Sequence, residues 1–305
     1  MQLFKYFPET RFKDVLENEK VRFSQASALN DPWEMKPHIE QLFTEQRFRQ
    51  IALRSGAKVN PIAQDDEAFR QFWKVRRRQN PNLGKKPARA LFEQFKREHP
   101  HALPLVERAV EELVIKKTKE RSPEFMARYL KQFEDFGVFS LSEEPNNILM
   151  WAHYSNSHKG FVIELDSQHS FFTVLKEHDP VKTIHPIVYA ERLPHLKSIE
   201  DIMTNEGLNA LLFTKDKRWS YEKEWRLVAD YRDAIENKSL PGGEVAWLYH
   251  LPADCIKRVI LGCSMSPSDK DQFTNFLKTD PRYKHTRLQE TVRVLGRYDL
   301  ELKDL

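Results

Sequence analysis

Met150-Trp151-Ala152-His153-Tyr154-Ser155-Asn156-Ser157-His158-Lys159-Gly160-Phe161-Val162-Ile163-Glu164-Leu165-Asp166 holds a short helix, a polar turn and a strand in seventeen residues. Asn146 and Asn147 precede it, and either amide can cap a helix over 148–155. From Gly160 onward the period changes to two. Phe161, Ile163 and Leu165 then share one face, while Glu164 and Asp166 project from the other, toward water.

The same reading extends outward. Strands are predicted at 3–7, 21–25, 137–141, 184–189, 224–231, 245–251 and 258–262, with a last one near 292–295. Helices are predicted at 11–19, with Phe12, Val15 and Leu16 on one side, and around 199–213. Another runs from Ser266-Pro267 to about Leu277. Residues 41 to 134 are mostly helical in pattern. Leu42, Phe43, Phe48 and Ile51 keep a helical spacing, as do Leu105, Val106, Ala109, Val110, Leu113 and Val114. Ser122-Pro123 is a helix start, and Asn80-Pro81-Asn82-Leu83-Gly84 separates two helices. Strands and helices mix without a regular βαβ rhythm. The expected class is α+β, with a central mixed or antiparallel sheet and an inserted helical lobe. The core domain spans 1–40 and 136–305, and the basic helical insertion spans 41–135.

Composition narrows the function classes. No run of about 18 apolar residues occurs, so no membrane span is expected. The start, Met1-Gln2-Leu3-Phe4-Lys5-Tyr6, lacks the layout of a signal peptide. The two cysteines, Cys255 and Cys263, fit no zinc spacing and flank a strand that holds them apart. They read as reduced thiols of a cytoplasmic protein. The net charge of +4 hides an asymmetry: the segment from Arg70 to Arg97 holds ten basic residues and one acid, Glu93, and carries +9. Arg76, Arg77, Arg78, Lys85 and Lys86, with Phe69, Phe72, Trp73, Phe92 and Phe95 interleaved, fit a nucleic-acid backbone or a protein acceptor. The same aromatics also fit ordinary helix packing.

Three polar-aromatic motifs carry the candidate chemistry. Trp219-Ser220-Tyr221-Glu222-Lys223-Glu224-Trp225-Arg226 sets Glu222, Glu224 and Arg226 on one strand face, with Trp225, Leu227 and Ala229 on the core face. Paired carboxylates crowd each other and raise a pKa, which suits proton transfer or stabilisation of a cationic sugar centre. A solvated Glu–Arg strand face is the plainer alternative. In the Met150–Gly160 segment, Trp151, His153, Tyr154 and the loop residue His158 are pocket candidates, and the histidine spacing argues against metal. Leu29-Asn30-Asp31-Pro32-Trp33-Glu34 reads as a capped turn that lays Trp33 against a ring, with Asn30 or Asp31 bonding a sugar or base. Lys5 and Tyr6 add a cation and a hydroxyl.

Taken together, Phe4-Lys5-Tyr6, Phe23-Ser24, Asn30-Asp31-Pro32-Trp33-Glu34, Phe139-Ser140, Met150-Trp151-Ala152-His153-Tyr154, His158-Lys159-Gly160, Tyr221-Glu222-Lys223-Glu224-Trp225-Arg226 and Ile260-Leu261-Gly262 resemble a bacterial family known as domain of unknown function 2971. That family carries no assigned activity. The element order, with a Ser-bearing strand and a late Glu-x-Glu strand, also looks like the ADP-ribosyltransferases. There a first strand supplies His or Arg to the NAD ribose, a middle strand supplies Ser or Tyr, and the last Glu holds a ribose hydroxyl while nicotinamide leaves. That resemblance implies Lys5 or Tyr6, Ser140 and Glu224 in those roles. It departs at the first position, which holds neither His nor Arg.

The leading expectation is therefore an ADP-ribosyltransferase-like enzyme that cleaves the glycosidic bond of NAD, with a role in defence or toxin biology consistent with it. Glu224 is its principal carboxylate, aided by Glu222 and His158. Trp33 or Trp151 stacks on a ring, and Lys5, His158 and Arg226 hold phosphates or ribose. The alternatives are a non-catalytic nucleic-acid or ligand-binding module, and a metal-dependent hydrolase or nuclease built on Glu164, Asp166, Glu222 and Glu224.

Overall fold

The computed structural model of the chain describes residues 1–41, 61–99, 136–172, 183–202, 204–240 and 245–305, with scattered positions between 43 and 131. In chain order these form β1 (Gln2–Phe7), β2 (Lys20–Gln25), β3 (His38–Gln41), α1 (Pro61–Gln79), α2 (Lys85–Glu98), β4 (Phe136–Ser142), α3 (Ile148–Tyr154) and β5 (Phe161–Asp166). There follow β6 (His185–Pro186), β7 (Val188–Ala190), β8 (His195–Ser198), α4 (Ile199–Ile202), α5 (Asn205–Leu212), β9 (Thr214–Asp216), β10 (Glu224–Asp230), β11 (Glu236–Ser239) and β12 (Val245–His250). The chain ends with β13 (Ile256–Leu261), α6 (Pro267–Thr279), β14 (Arg287–Arg293) and β15 (Leu300–Asp304). The class is α+β.

Two compact units divide the chain: residues 1–38, 130–194 and 205–305 form the first, and 39–129 with 195–204 the second. The first is built on an eleven-stranded mixed sheet ordered β11-β12-β2-β4-β1-β5-β13-β14-β15, with β10 beside β4 and β6 beside β10. Its pairs are antiparallel except β13–β14. β4 is the branch point. One edge meets β2 at Val138 and Gly137 and β1 at Ser142, while β10 runs along the whole of the other edge.

Period two sorts the two faces of this sheet. Leu3, Phe7, Phe139, Leu141, Phe161, Ile163, Leu165, Leu227 and Ala229 build the larger core, to which α6 adds Phe273 and Leu277. Phe4, Tyr6, Val162, Ile260 and Leu300 face the other way and pack under Met150 and Trp151 of α3. Glu164 lies on this second face. Instead of facing water it is buried, its carboxylate 2.7 Å from Arg258 on the neighbouring strand. A carboxylate at a covered position needs a cation, and register supplies one. Asp166, at the strand end, pairs with Lys257 at 3.0 Å.

Capping explains the short helices. The Asn147 side chain accepts from the backbone N–H groups of Leu149 and Met150, and that of Ser266 from Asp269. Elsewhere local structure departs from expectation. In place of the helix expected over 11–19 there are a 3₁₀ turn over Glu9–Arg11 and a wider π turn over Lys13–Glu17, which buries Val15 and Leu16. Residues 184–189 split into β6 and β7, which pair with β10 and β9 respectively. Residues 199–213 split into α4 and α5. The final strand, β15, lies beyond the predicted elements although Leu300 and Leu302 alternate with Glu301 and Lys303.

The second unit contains α1 and α2, joined by the predicted break at 80–84. Phe69, Ala88 and Phe92 are buried between them, with Phe72, Trp73 and Leu83 packed alongside. The helix start at Ser122-Pro123 and the apolar spacings of Leu42, Phe48, Ile51 and 105–114 lie outside the described residues.

After α3 the chain reverses through Asn156, Ser157 and His158, three successive residues at positive φ (45, 55 and 66°). Gly160 ends the turn against β1, where a Cβ would collide with the carbonyl of Phe7. Gly296 is the contrast, at φ 77° with open space around it. Gly160→Ala is expected to lose at least about 3 kcal/mol of stability in urea denaturation, and Gly296→Ala about 1 kcal/mol. Equal losses at the two positions would contradict this packing argument.

Candidate functional site

The second sheet face, near β10, buries an ion cluster. Arg226 is fully covered. Its Nε donates to Glu224 Oε1 at 2.7 Å, its Nη1 to the Leu212 carbonyl at 2.9 Å, and its Nη2 to Glu224 Oε2 at 3.1 Å and to Glu34 Oε1. Lys215, from β9, reaches Glu222 at 2.5 Å, Glu224 at 3.0 Å and Glu34 at 3.6 Å. Its ammonium also lies 5.1 Å from the centre of the Trp219 ring. The Tyr154 hydroxyl donates to Glu222 Oε1 at 2.5 Å and accepts from Asn30 Nδ2 at 2.8 Å. The Tyr189 hydroxyl accepts from the Glu224 backbone N–H at 2.7 Å.

Glu222 reaches this cluster by an unexpected route. It does not lie on the strand. It ends a 3₁₀ helix, Lys217–Glu222, and Lys223 then takes a left-handed conformation before β10 begins. The Ser142 hydroxyl fixes the turn by donating to the Glu222 carbonyl at 2.7 Å. Glu222, Glu224 and Arg226 thus meet in a buried network, with Glu222 brought in by the turn and not by the strand face expected for it.

Burial sets the protonation chemistry. It raises the Glu224 pKa first of all; Lys215 opposes that rise and Glu222 adds to it. Burial lowers Arg226 to about 9. Lys215 moves upward although burial pulls it down, because Glu224 and Glu222 outweigh that pull. Tyr154 is pushed up by burial and then by Glu222.

Lys5 sits on the opposite sheet face. Its ammonium lies 4.8 Å from the Phe139 ring centre and donates to the Ser140 carbonyl at 2.7 Å. The Ser140 side chain in turn bonds Glu224. The three residues implied by the ADP-ribosyltransferase resemblance therefore form one chain of contacts through β4.

Other candidates fall elsewhere. Tyr6 is buried, bonds the Glu144 carbonyl at 2.5 Å and meets Trp151 edge to face. Trp151 is fully buried with its N–H on the Pro145 carbonyl, so it is core and not a ring-stacking wall. His153 is exposed. His158 stacks on Trp151 at 6.3 Å, and its pKa is lowered by burial and then by Arg293. Its backbone carbonyl accepts from Ser264 at 3.0 Å, so its contacts are those of a turn that joins two segments. Glu164 and Glu224 are aligned through Phe4 and Ser142, three strand spacings or about 14 Å apart. Among the described residues no group of three His, Cys, Asp or Glu could hold a metal ion.

A cleft of about 200 Å³ adjoins the cluster. Trp33, 60% exposed, lines it, and Asp31 holds the Trp33 backbone N–H at 2.9 Å. Lys36, Arg192 and Arg218 are its exposed cations, Glu191 and Asp216 add acids to its rim, and the buried Asp31, Glu34 and Lys215 are its inner polar groups. Glu34 Oε2 has no hydrogen-bond partner. Lys215 and the role of Glu34 went unread in the sequence. The one available signal was a count: burying Glu222 and Glu224 demands more than a single arginine.

Residues 150–227 match the model of a family described as Protein of unknown function (DUF2971). That stretch contains the expected Met150–Tyr154, His158–Gly160 and Tyr221–Arg226 motifs. The DUF2971 stretch contains Tyr154, Tyr189, Lys215, Glu222, Glu224 and Arg226, and leaves out Ser140, Glu34 and Trp33. No curated protein and no solved structure matched the chain. No described helix is long and apolar enough to cross a membrane.

Two outcomes are expected from the cluster. Arg226→Leu leaves Glu34 and Glu224 buried without their guanidinium, and should cost about 3–5 kcal/mol in chemical denaturation. Lys5 carries a pKa lowered from 10.5 to about 8, by burial above all. Its charged form opposes folding below pH 8, and that penalty fades as pH rises from about 8 to 10.5. The stability of Lys5→Met relative to wild type should therefore be greater at pH 7 than at pH 10.5; a pH-independent difference would contradict the burial of this charge.

Proposed function

We propose that the cleft binds a nucleotide-type ligand, with NAD as the first candidate. The observation that carries this reading is the pairing of an exposed Trp33 with a buried, unsatisfied carboxylate oxygen on Glu34 in one cleft. The indole offers a stacking surface. Glu34 Oε2 accepts a hydrogen bond from a ribose hydroxyl or an amide N–H, and Lys36 and Arg192 balance phosphate charge. A volume near 200 Å³ is smaller than the ~300–1,000 Å³ of most small-molecule sites. It suits one ring with its attached sugar, the rest of the nucleotide lying outside.

A second reading adds glycosidic cleavage. What favours it is the Lys5–Ser140–Glu224 chain, which joins the residues implied by the ADP-ribosyltransferase resemblance. Both oxygens of Glu224 are already engaged by Arg226 and Lys215. In this reading, Glu224 acts on a ligand only after giving up one of those partners, and Lys215, which also lines the cleft, is the one placed to move.

Calorimetric titration with NAD, ADP-ribose and ATP tests the first reading. Trp33→Ala is expected to weaken binding by roughly 5- to 150-fold, as loss of about 1–3 kcal/mol of stacking implies. Absence of binding by all three nucleotides at millimolar concentration would remove it. Nicotinamide release from NAD, compared between wild type and a folded Glu224→Gln protein, tests the second.

A further inference from the structure

The cleft is not the only charged feature. Within the second unit, Arg70, Trp73, Lys74, Arg77 and Arg78 line one shallow groove. Their spacing of 0, 3, 4, 7 and 8 puts them on a single face of α1. The stripe runs along about 12 Å of helix axis.

Charge in this hairpin is sorted, not mixed. On α2, Lys96 meets Asp65 at 2.7 Å and Glu93 at 2.8 Å, and Arg89 meets Asp66 at 3.2 Å as well as Asp65. Between Ala68 and Phe92 the sequence has no acid. Among the described residues, Lys74, Arg76, Arg77, Arg78, Lys85 and Lys86 have no carboxylate partner. Arg70–Lys74 and Lys74–Arg78 are like-charge pairs one turn apart, which destabilise an isolated helix. Cations crowded in this way, with the local acids committed elsewhere, are built for an external anion.

The form of that anion follows from the aromatics. Phe69, Phe72 and Trp73 are spent packing α1 on Ala88 and Phe92. Little apolar surface remains to enter a bilayer, with Val75 and Leu91 exposed on separate helices. Trp73 is pinned: its N–H donates to the Leu83 carbonyl at 2.9 Å, one face stacks on Phe69 and Arg77 lies over its ring. A base finds no open face there. A linear array of phosphates does find a linear array of cations.

The geometry points to a nucleic-acid-binding face on α1, formed by Lys74, Arg77 and Arg78, that grips the phosphate backbone without reading sequence. It is independent of the nucleotide proposal for the cleft.

The test is fluorescence anisotropy of the full chain with a labelled 20-base-pair duplex, a single-stranded RNA of equal length, and phosphatidylserine vesicles as competitor. Binding to the duplex or the RNA is expected. With three phosphate contacts, duplex affinity should fall about 40-fold between 50 and 200 mM salt. The double substitution Lys74→Glu with Arg78→Glu should weaken binding at least tenfold and flatten the salt dependence, while Arg297→Glu, exposed and outside this hairpin, leaves it unchanged. Circular dichroism checks that the variants fold. No binding at 50 mM salt, equal binding by the double variant, or preferential capture by the vesicles would overturn the proposal.

Discussion

Burial of Arg226 is the constraint on which the first unit turns. A guanidinium removed from water loses several kcal/mol of hydration unless its donors are met. Three separate segments meet them: Glu34 from the Asn30–Glu34 motif, the Leu212 carbonyl from the end of α5, and Glu224 from the same strand. One side chain thereby ties a loop, a helix end and the sheet. The cluster it anchors holds three carboxylates against two cations. Burial raises the Glu224 pKa first of all and Glu222 adds to the rise, against the pull of Lys215.

The cleft is a consequence of that anchoring. Glu34 is drawn inward by Arg226, while Asp31 turns the backbone so that Trp33, one residue earlier, stays outside. A short motif thus presents a flat apolar surface beside a buried acid. Lys215 joins the two regions, since it lines the cleft and also contacts Glu222 and Glu224.

Much of the sheet was legible because it rests on local rules. Alternation in 161–166 and 224–230 assigned core faces that the structure keeps, and Asn147 and Ser266 cap where expected. What stayed hidden depends on partners distant in sequence. Nothing near Lys215 announces that it is buried, because its carboxylates come from other segments. The burial of Glu164 depends on Arg258, 94 residues away. The left-handed run at Asn156–His158 is held by backbone bonds to Trp151, Ala152 and Ser264, and polarity alone gives no hint of it. Trp151 and Trp33 look alike as motif residues; one is core and the other exposed, and only the tertiary fold separates them.

Those differences redistribute the candidate roles among the carboxylates. Glu224 is the acid a Glu-x-Glu pattern brings forward, yet both its oxygens are already engaged, by Arg226 and Lys215. Glu222 is likewise committed, to Tyr154 and Lys215. Glu34 alone of the three lines the cleft and keeps one oxygen without a donor. An unsatisfied buried acceptor costs about 1–3 kcal/mol, and a ligand donor would return that energy on binding. Of the three carboxylates in the cluster, Glu34 is therefore the one that borders the cleft, beside Lys215, while Glu222 and Glu224 do not line it. Polar satisfaction, more than motif likeness, orders these residues from the cleft inward.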